Sequence, residues 1–186
     1  LDTTRIVGII NVTADSFSDG GRFLDPAAAI EHGLGLAEEG ADILDVGAES
    51  TRPGAHPVSP EQQIARVVPV IEALVKRTPV AISIDTSDPA VMRAAVAAGA
   101  GFINDVRALR GEGALEAAAE LQVPVCLMHM QGEPGSMQDN PQYDDVVGEV
   151  QRFLSDRVFA CQLAGIDKAR IVVDPGFGFG KSLQHN

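Results

Sequence analysis

The chain has 186 residues and a formal net charge of −12; 45% of its residues are hydrophobic, 22% are charged and only 4% are aromatic, with no tryptophan. That length holds one sizeable domain rather than two, and the composition is globular rather than disordered. The acidic excess argues against nucleic acid or an anionic membrane surface as partner, since both demand a basic face, but it leaves room for a small anionic substrate held by a few local Arg and N–H groups.

In chain order, Arg5–Ile10 reads as a strand. A helix over Pro26–Glu39 follows, with Asp25 as N-cap and Pro26 at the first helical position. Asp42–Val46 reads as the second strand and Ser59–Lys76 as the second helix. A strand over Val80–Asp85 leads into a helix capped by Asp88-Pro89 and running to Ala98. Gly101–Asn104 is the fourth strand, Gly113–Leu121 a helix, Val123–Met128 the fifth strand, Asp144–Ala164 a long helix and Ala169–Asp174 the sixth strand. The strands lack apolar/polar alternation and are expected to be buried on both faces, as parallel strands are. Alternating β and α implies a parallel α/β sheet, and nothing along the chain suggests a second domain within residues 1–186.

Two features favour a closed barrel over a doubly wound sheet. The first two strands run into long polar loops, Asn11–Leu24 and Gly47–Val58, of the kind that carries function. The strands also end in polar side chains: Asn11, Asp45, Asp85, Asn104 with Asp105, His129 and Asp174. Such groups at the C-terminal ends of many strands are the pattern of a TIM (β/α)8 barrel, of which this chain supplies six βα units. Asp85, Asn104 and Asp174 would converge at one mouth. Two carboxylates and a carboxamide suit the edge of a flat, nitrogen-rich heterocycle, and a buried carboxylate there would stabilise a cation formed beside it. A single strand-end Asp is as readily a helix cap or turn former.

Asn11 offers a hard oxygen to Mg²⁺. Arg52, with Ser50 and Thr51, makes a fair anion-binding set. Gly176-Phe177-Gly178-Phe179-Gly180-Lys181-Ser182 is neither a Walker A loop, because Pro175 stands at the first required Gly, nor a dinucleotide fingerprint, because Lys181 replaces the third. Its glycines are expected to let the backbone approach a flat ligand, with Phe179 as a stacking face. His129 reads as a satisfied rim or core histidine. Cys126 and Cys161 lack zinc-site spacing, no apolar run reaches the ~18 residues of a membrane span, and no leader peptide is evident, so a cytoplasmic setting is expected.

Asn11–Gly21 (NVTADSFSDGG), Glu49–Gly54 (ESTRPG), Ser83–Ser87 (SIDTS), Asn104-Asp105, Cys126–Gly132 (CLMHMQG) and Asp174–Lys181 (DPGFGFGK), taken in order along essentially the whole chain, resemble the dihydropteroate synthase family. The resemblance implies a pterin-binding (β/α)8 barrel. It implies the joining of a dihydropterin pyrophosphate to p-aminobenzoate with release of pyrophosphate, and inhibition by sulfonamides. It implies that Asp85, Asn104 and Asp174 hold the pterin edge and that Met128 and Phe179 line that pocket. Asn11 would bind Mg²⁺ and pyrophosphate, Thr51 and Arg52 would organise the second loop, and Phe17 and Pro53 would frame the p-aminobenzoate site. A homodimer is implied for the full-length parent.

Ala14 departs from the Pro usual in the family. The resemblance also implies two further βα units, carrying a pterin-contacting Lys and a late Arg-x-His, and no residue of this chain is assigned to those roles. A six-stranded piece by itself is expected to be poorly soluble, or molten and inactive. Two other readings are a pterin-binding module without catalysis and the pterin domain of a folate- or corrinoid-linked methyltransferase. The loop ADSFSDGG favours the synthase over the latter.

Overall fold

The computed structural model describes residues 3–13, 26–49, 57–133 and 135–186. Strands and helices alternate: β1 (Val7–Asn11), α1 (Pro26–Glu38), β2 (Ile43–Gly47), α2 (Pro60–Arg77), β3 (Ala81–Asp85), α3 (Pro89–Ala97), β4 (Phe102–Asp105), α4 (Ala114–Leu121), β5 (Val125–Met128), α5 (Val146–Leu163) and β6 (Ile171–Asp174). A single 3-10 turn, Lys168–Arg170, leads into β6.

Local chemistry sets the helix starts. Ser59 caps α2 by accepting from Gln62 N, with Pro60 inside the first turn. Asp88 caps α3 through Ala90 N (2.8 Å) and Val91 N (3.1 Å), and Asp145 caps α5 through Gly148 N (3.1 Å). Each cap satisfies amides that the helix itself leaves open, and is worth about 1 kcal/mol. Asp25, expected to cap α1, lies outside the described residues.

All five strand pairings are parallel, and the sheet order is β1-β2-β3-β4-β5-β6. A doubly wound sheet reverses its strand order at a switch point; this order never reverses, which is the winding of a (β/α)8 barrel with six of its strands and five of its helices described.

The main core lies between the outer faces of the strands and the helices. Ile10, Leu44, Val46, Ile82, Ile84, Ile103, Val125 and Leu127 are buried there with Val67, Ile71 and Leu74 of α2 and Met92 of α3. Fully burying each such side chain stabilises the fold by roughly 1.5–3 kcal/mol. Ala29, Ala95, Ala114, Ala117 and Ala118 are also buried; their small side chains bring the helices close to the sheet without aromatic filler.

The expectation that every strand is buried on both faces needs correction at the two outer strands. Val7 and Ile9 of β1 are 46% and 52% exposed while Gly8 and Ile10 are buried, and Val173 of β6 is 47% exposed. Val7 and Ile9 face the barrel cavity, and Val173 lies on the outer face in a groove with Val158 and Phe159 of α5.

Candidate active site

A strand turns alternate side chains to opposite faces, so residues of one parity enter the barrel and the others pack under the helices. The inner set includes Val7, Ile9, Asp45, Ser83, Asn104, Cys126 and Asp174, which line a cavity of about 720 Å³. Register then stacks the inner groups. Asn11 lies opposite Gly47, Gly47 opposite Asp85, and Asp85 opposite Asn104. Met128 pairs with Asp174 one step further along. Asn11, Asp85, Asn104, Asp174 and Met128 thus share one end of the barrel. Phe179 joins them by packing on the buried cluster Met128, Met130 and Met137. Phe17, Thr51, Arg52 and Pro53 lie outside the described residues.

Gly47 makes room for Asp85: a Cβ there would stand 3.3 Å from the Asp85 Oδ2. The Asp85 carboxyl is held well above the usual carboxylate range, first by burial, then by the charges of Asp45, Asp105 and Glu49. The site without ligand therefore disfavours negative charge at Asp85, and a cation or an N–H-rich ring edge would relieve that. Burial first, then the charges of Asp174, Asp45, Asp105 and Asp85, push the Cys126 thiol up to about 12.

Adjacent strand residues face opposite ways, which separates Asn104 from Asp105. Asp105 is fully buried on the helix side. It accepts from Ser87 Oγ, from Arg107 N at 2.8 Å and from Leu109 N at 2.8 Å. It is a turn former that shapes the loop after β4, where Ala108 and Leu109 take left-handed conformations and Arg157 of α5 donates to both of their carbonyls.

Three further groups were not singled out as site residues from the sequence. Asp45 is buried in the cavity wall with Oδ2 2.9 Å from Asn104 Nδ2; burial raises its carboxyl, and hydrogen bonds from the Ser83 hydroxyl and from Asn104 hold it down. Gln63 of α2 donates to Val58 O at 2.9 Å and accepts from Thr86 Oγ1 at 3.2 Å, tying the end of the second loop to the tip of β3. Lys181 is buried, with Nζ 2.9 Å from Gly176 O, 3.1 Å from Phe179 O, 3.3 Å from His129 O and 3.0 Å from His129 Nδ1. Burial brings Lys181 down to about 8, and burial with the Lys181 charge brings His129 down to about 4.

Two of the glycines after β6 shape that knot. Gly176 and Gly180 have positive φ, and a Cβ on either would collide with the backbone of His129 or Gln131 respectively. They bring the β6 loop against the β5 loop, while Gly178, also at positive φ, has open space where a Cβ would stand. Lys181 ties the two loops together, and Tyr143 adds a hydrogen bond from its hydroxyl to Gly180 O at 2.8 Å.

No group of three or more His, Cys, Asp or Glu side chains among the described residues is arranged to hold a metal ion. Asn11, exposed at the end of β1, presents a hard carboxamide oxygen. One such donor fits Mg²⁺, which keeps most of its waters and leans on substrate phosphates. No helix among the described residues is long and apolar enough to cross a membrane.

The model of the family described as "Pterin binding enzyme" matches residues 7–186. The dihydropteroate synthase of Escherichia coli (strain K12) is 53% identical over 186 residues, covering 100% of this chain and 66% of that protein. The enzyme of Haemophilus influenzae is 50% identical, covering 100% of this chain and 68% of its own length. The structure of Xanthomonas albilineans dihydropteroate synthase with 4-aminobenzoic acid superposes with a TM-score of 0.92 at 62% identity, covering 100% of this chain and 66% of that one. A structure of the same enzyme with 7,8-dihydropteroate gives a TM-score of 0.87, and the Yersinia pestis enzyme with a sulfonamide drug gives 0.92. The chain thus spans about 66% of the length of the first of these relatives, and the family match over residues 7–186 shows that it belongs to the pterin-binding enzyme family.

Proposed function

We propose that the protein is a dihydropteroate synthase of folate biosynthesis, a transferase that condenses 6-hydroxymethyl-7,8-dihydropterin pyrophosphate with p-aminobenzoate to give 7,8-dihydropteroate and pyrophosphate. The observation that carries the reading is the convergence of Asp85, Asn104 and Asp174 at one barrel mouth, in a chain 53% identical to a dihydropteroate synthase. Residues 1–186 act as one pterin-binding domain in this reading.

The acceptor groups of Asp85, Asn104 and Asp174 take the N–H edge of the pterin, and Met128 and Phe179 flank its faces. The C–O bond to pyrophosphate breaks, leaving a pterin methylene cation whose charge the Asp85 carboxylate stabilises. The arylamine nitrogen attacks that carbon and releases a proton, giving the C–N bond of the product. Asn11 holds the departing pyrophosphate end, and Arg52 with Thr51 orders the second loop beside it. Phe17 and Pro53 frame the arylamine. Mg²⁺ bound with Asn11 would neutralise charge on the leaving pyrophosphate.

Binding of sulfonamides in place of p-aminobenzoate, a homodimer and a cytoplasmic setting belong to the same reading, with no nucleic acid or membrane partner. Relatives whose structures hold 4-aminobenzoic acid and 7,8-dihydropteroate support a synthase over a methyltransferase, as does the loop 14–21.

The test is product formation by the full-length protein from both substrates with Mg²⁺. Dihydropteroate with stoichiometric pyrophosphate, lost on chelation, is the expected result. Tight pterin binding without product would favour a binding module, and absence of pterin binding would refute the reading.

A further inference from the structure

Asp45 sits in the cavity wall one layer deeper than the strand-end groups, in register with Ile9 on one side and Ser83 on the other. Its Oδ2 lies 2.9 Å from the Asn104 side-chain nitrogen. The direction of this hydrogen bond is set by chemistry. A carboxylate oxygen only accepts, so the carboxamide must turn its NH₂ toward Asp45 and its carbonyl away. The reversed amide would bring two acceptor oxygens together with no proton between them. That orientation holds while Asp45 is ionised; a proton on Oδ2 would let it donate to the Asn104 carbonyl and reverse the amide. Burial raises the Asp45 carboxyl, and hydrogen bonds from Ser83 and Asn104 hold it down. Among the described residues nothing donates to the Asn104 Oδ1, which is left for a ligand.

We propose that Asp45 is a positioning residue that locks the Asn104 carboxamide with its carbonyl oxygen toward the ligand. Asn104 then behaves as an acceptor, alongside the carboxyls of Asp85 and Asp174. The mouth becomes a row of acceptors and selects a ring edge that presents adjacent N–H donors. An Asn free to rotate would serve donor and acceptor edges alike, and a pocket built that way would discriminate poorly between an amino-oxo ring and its dioxo counterpart. The inference rests on the pterin reading above, since it concerns what that pocket accepts.

Two measurements on the full-length protein test it. The first is calorimetry with 6-hydroxymethylpterin and with the matching 2,4-dioxo compound, 6-hydroxymethyllumazine, on wild type and Asp45→Asn. The amide that this substitution introduces can donate or accept, so it no longer dictates the orientation of Asn104. Pterin affinity is expected to fall about tenfold or more, as when a buried polar group loses its fixed partner, while lumazine affinity holds or improves and the preference shrinks. An equal loss for both ligands, with preference intact, would mean that Asp45 is only structural and would overturn the proposal.

The second measurement needs neither ligand nor a variant at Asp45. The side-chain amide protons of Asn104, assigned by their loss in Asn104→Ala, are expected to exchange slowly in unliganded wild type. Exchange as fast as that of exposed Asn residues would overturn the proposal even if Asp45→Asn fails to fold. Wild type that shows slow exchange but binds no pterin would instead refute the functional reading, leaving the Asp45–Asn104 lock in place.

Discussion

Acid should open the knot between the β5 and β6 loops, and His129 sets the pH at which it does so. His129 is 5% exposed. Phe153 stands edge-on to its ring at 5.0 Å, and Nδ1 faces the Lys181 ammonium at 3.0 Å. Burial first, then the charges of Lys181 and Arg110, opposed by a hydrogen bond to its own backbone and more weakly by Glu149, bring it from the ordinary 6.5 to about 4. The folded state therefore binds this proton less readily than the unfolded chain. The stability contributed by neutral His129 is fully present above about pH 6.5 and is lost as pH falls through about 4. A change of that size corresponds to about 3.4 kcal/mol, at 1.36 kcal/mol per pH unit. That is a large share of the ~5–15 kcal/mol that holds an ordinary domain together. Asp45, Asp85 and Asp105 are raised and act in the opposite direction, so the wild-type profile alone would mix the two effects. The assay is urea unfolding followed by circular dichroism, from about pH 7.5 down to about pH 4, on wild type and His129→Gln. Between about pH 6.5 and pH 4 the wild type should lose about 2–4 kcal/mol more than the variant. Parallel profiles would refute the argument.

Three other outcomes are expected. Asp85→Asn removes a charge that the unliganded site disfavours, so thermal melting should show a higher Tm while product formation falls about 10²–10³-fold; a lower Tm would contradict the electrostatic reading. Gly180→Ala places a Cβ against the Gln131 backbone in a left-handed conformation, which should cost about 3 kcal/mol and lower Tm by roughly 6–12 °C. Cys126, pushed from 9.0 to about 12, should carry about 1,000-fold less thiolate than an unperturbed thiol and resist iodoacetamide at about pH 8, as read by peptide mass spectrometry.

The alternating elements and their strand-end groups were legible because the strands are short apolar runs, four of which, β1, β3, β4 and β6, end in Asn or Asp. Register within the sheet was not. Asp45 was visible only as one more strand-end residue; its place in the cavity wall follows from lying two residues before Gly47, the residue that pairs with Asp85. Side-chain parity was available in the sequence and would have separated Asn104, facing the cavity, from Asp105, facing the helices. Lys181 was read only as the residue that spoils two glycine motifs, because its partners are mainly backbone carbonyls, which no sequence pattern displays. The glycines of the same segment are legible as close-approach positions, and for Gly176 and Gly180 the approach is to the loop after β5. Phe17, Thr51, Arg52 and Pro53 remain assignments by resemblance.

The chain contains one tyrosine and no tryptophan. That tyrosine, Tyr143, donates to Gly180 O and lies edge-on to His185 at 4.9 Å. Apart from weak phenylalanine signals, the near-ultraviolet absorption and emission of these 186 residues therefore come from the clasp between the two loops. A titration with a ligand that is itself transparent at these wavelengths, such as pyrophosphate, would watch the contact of Tyr143 with the loop at Gly180 rather than the barrel as a whole, and would need no introduced label.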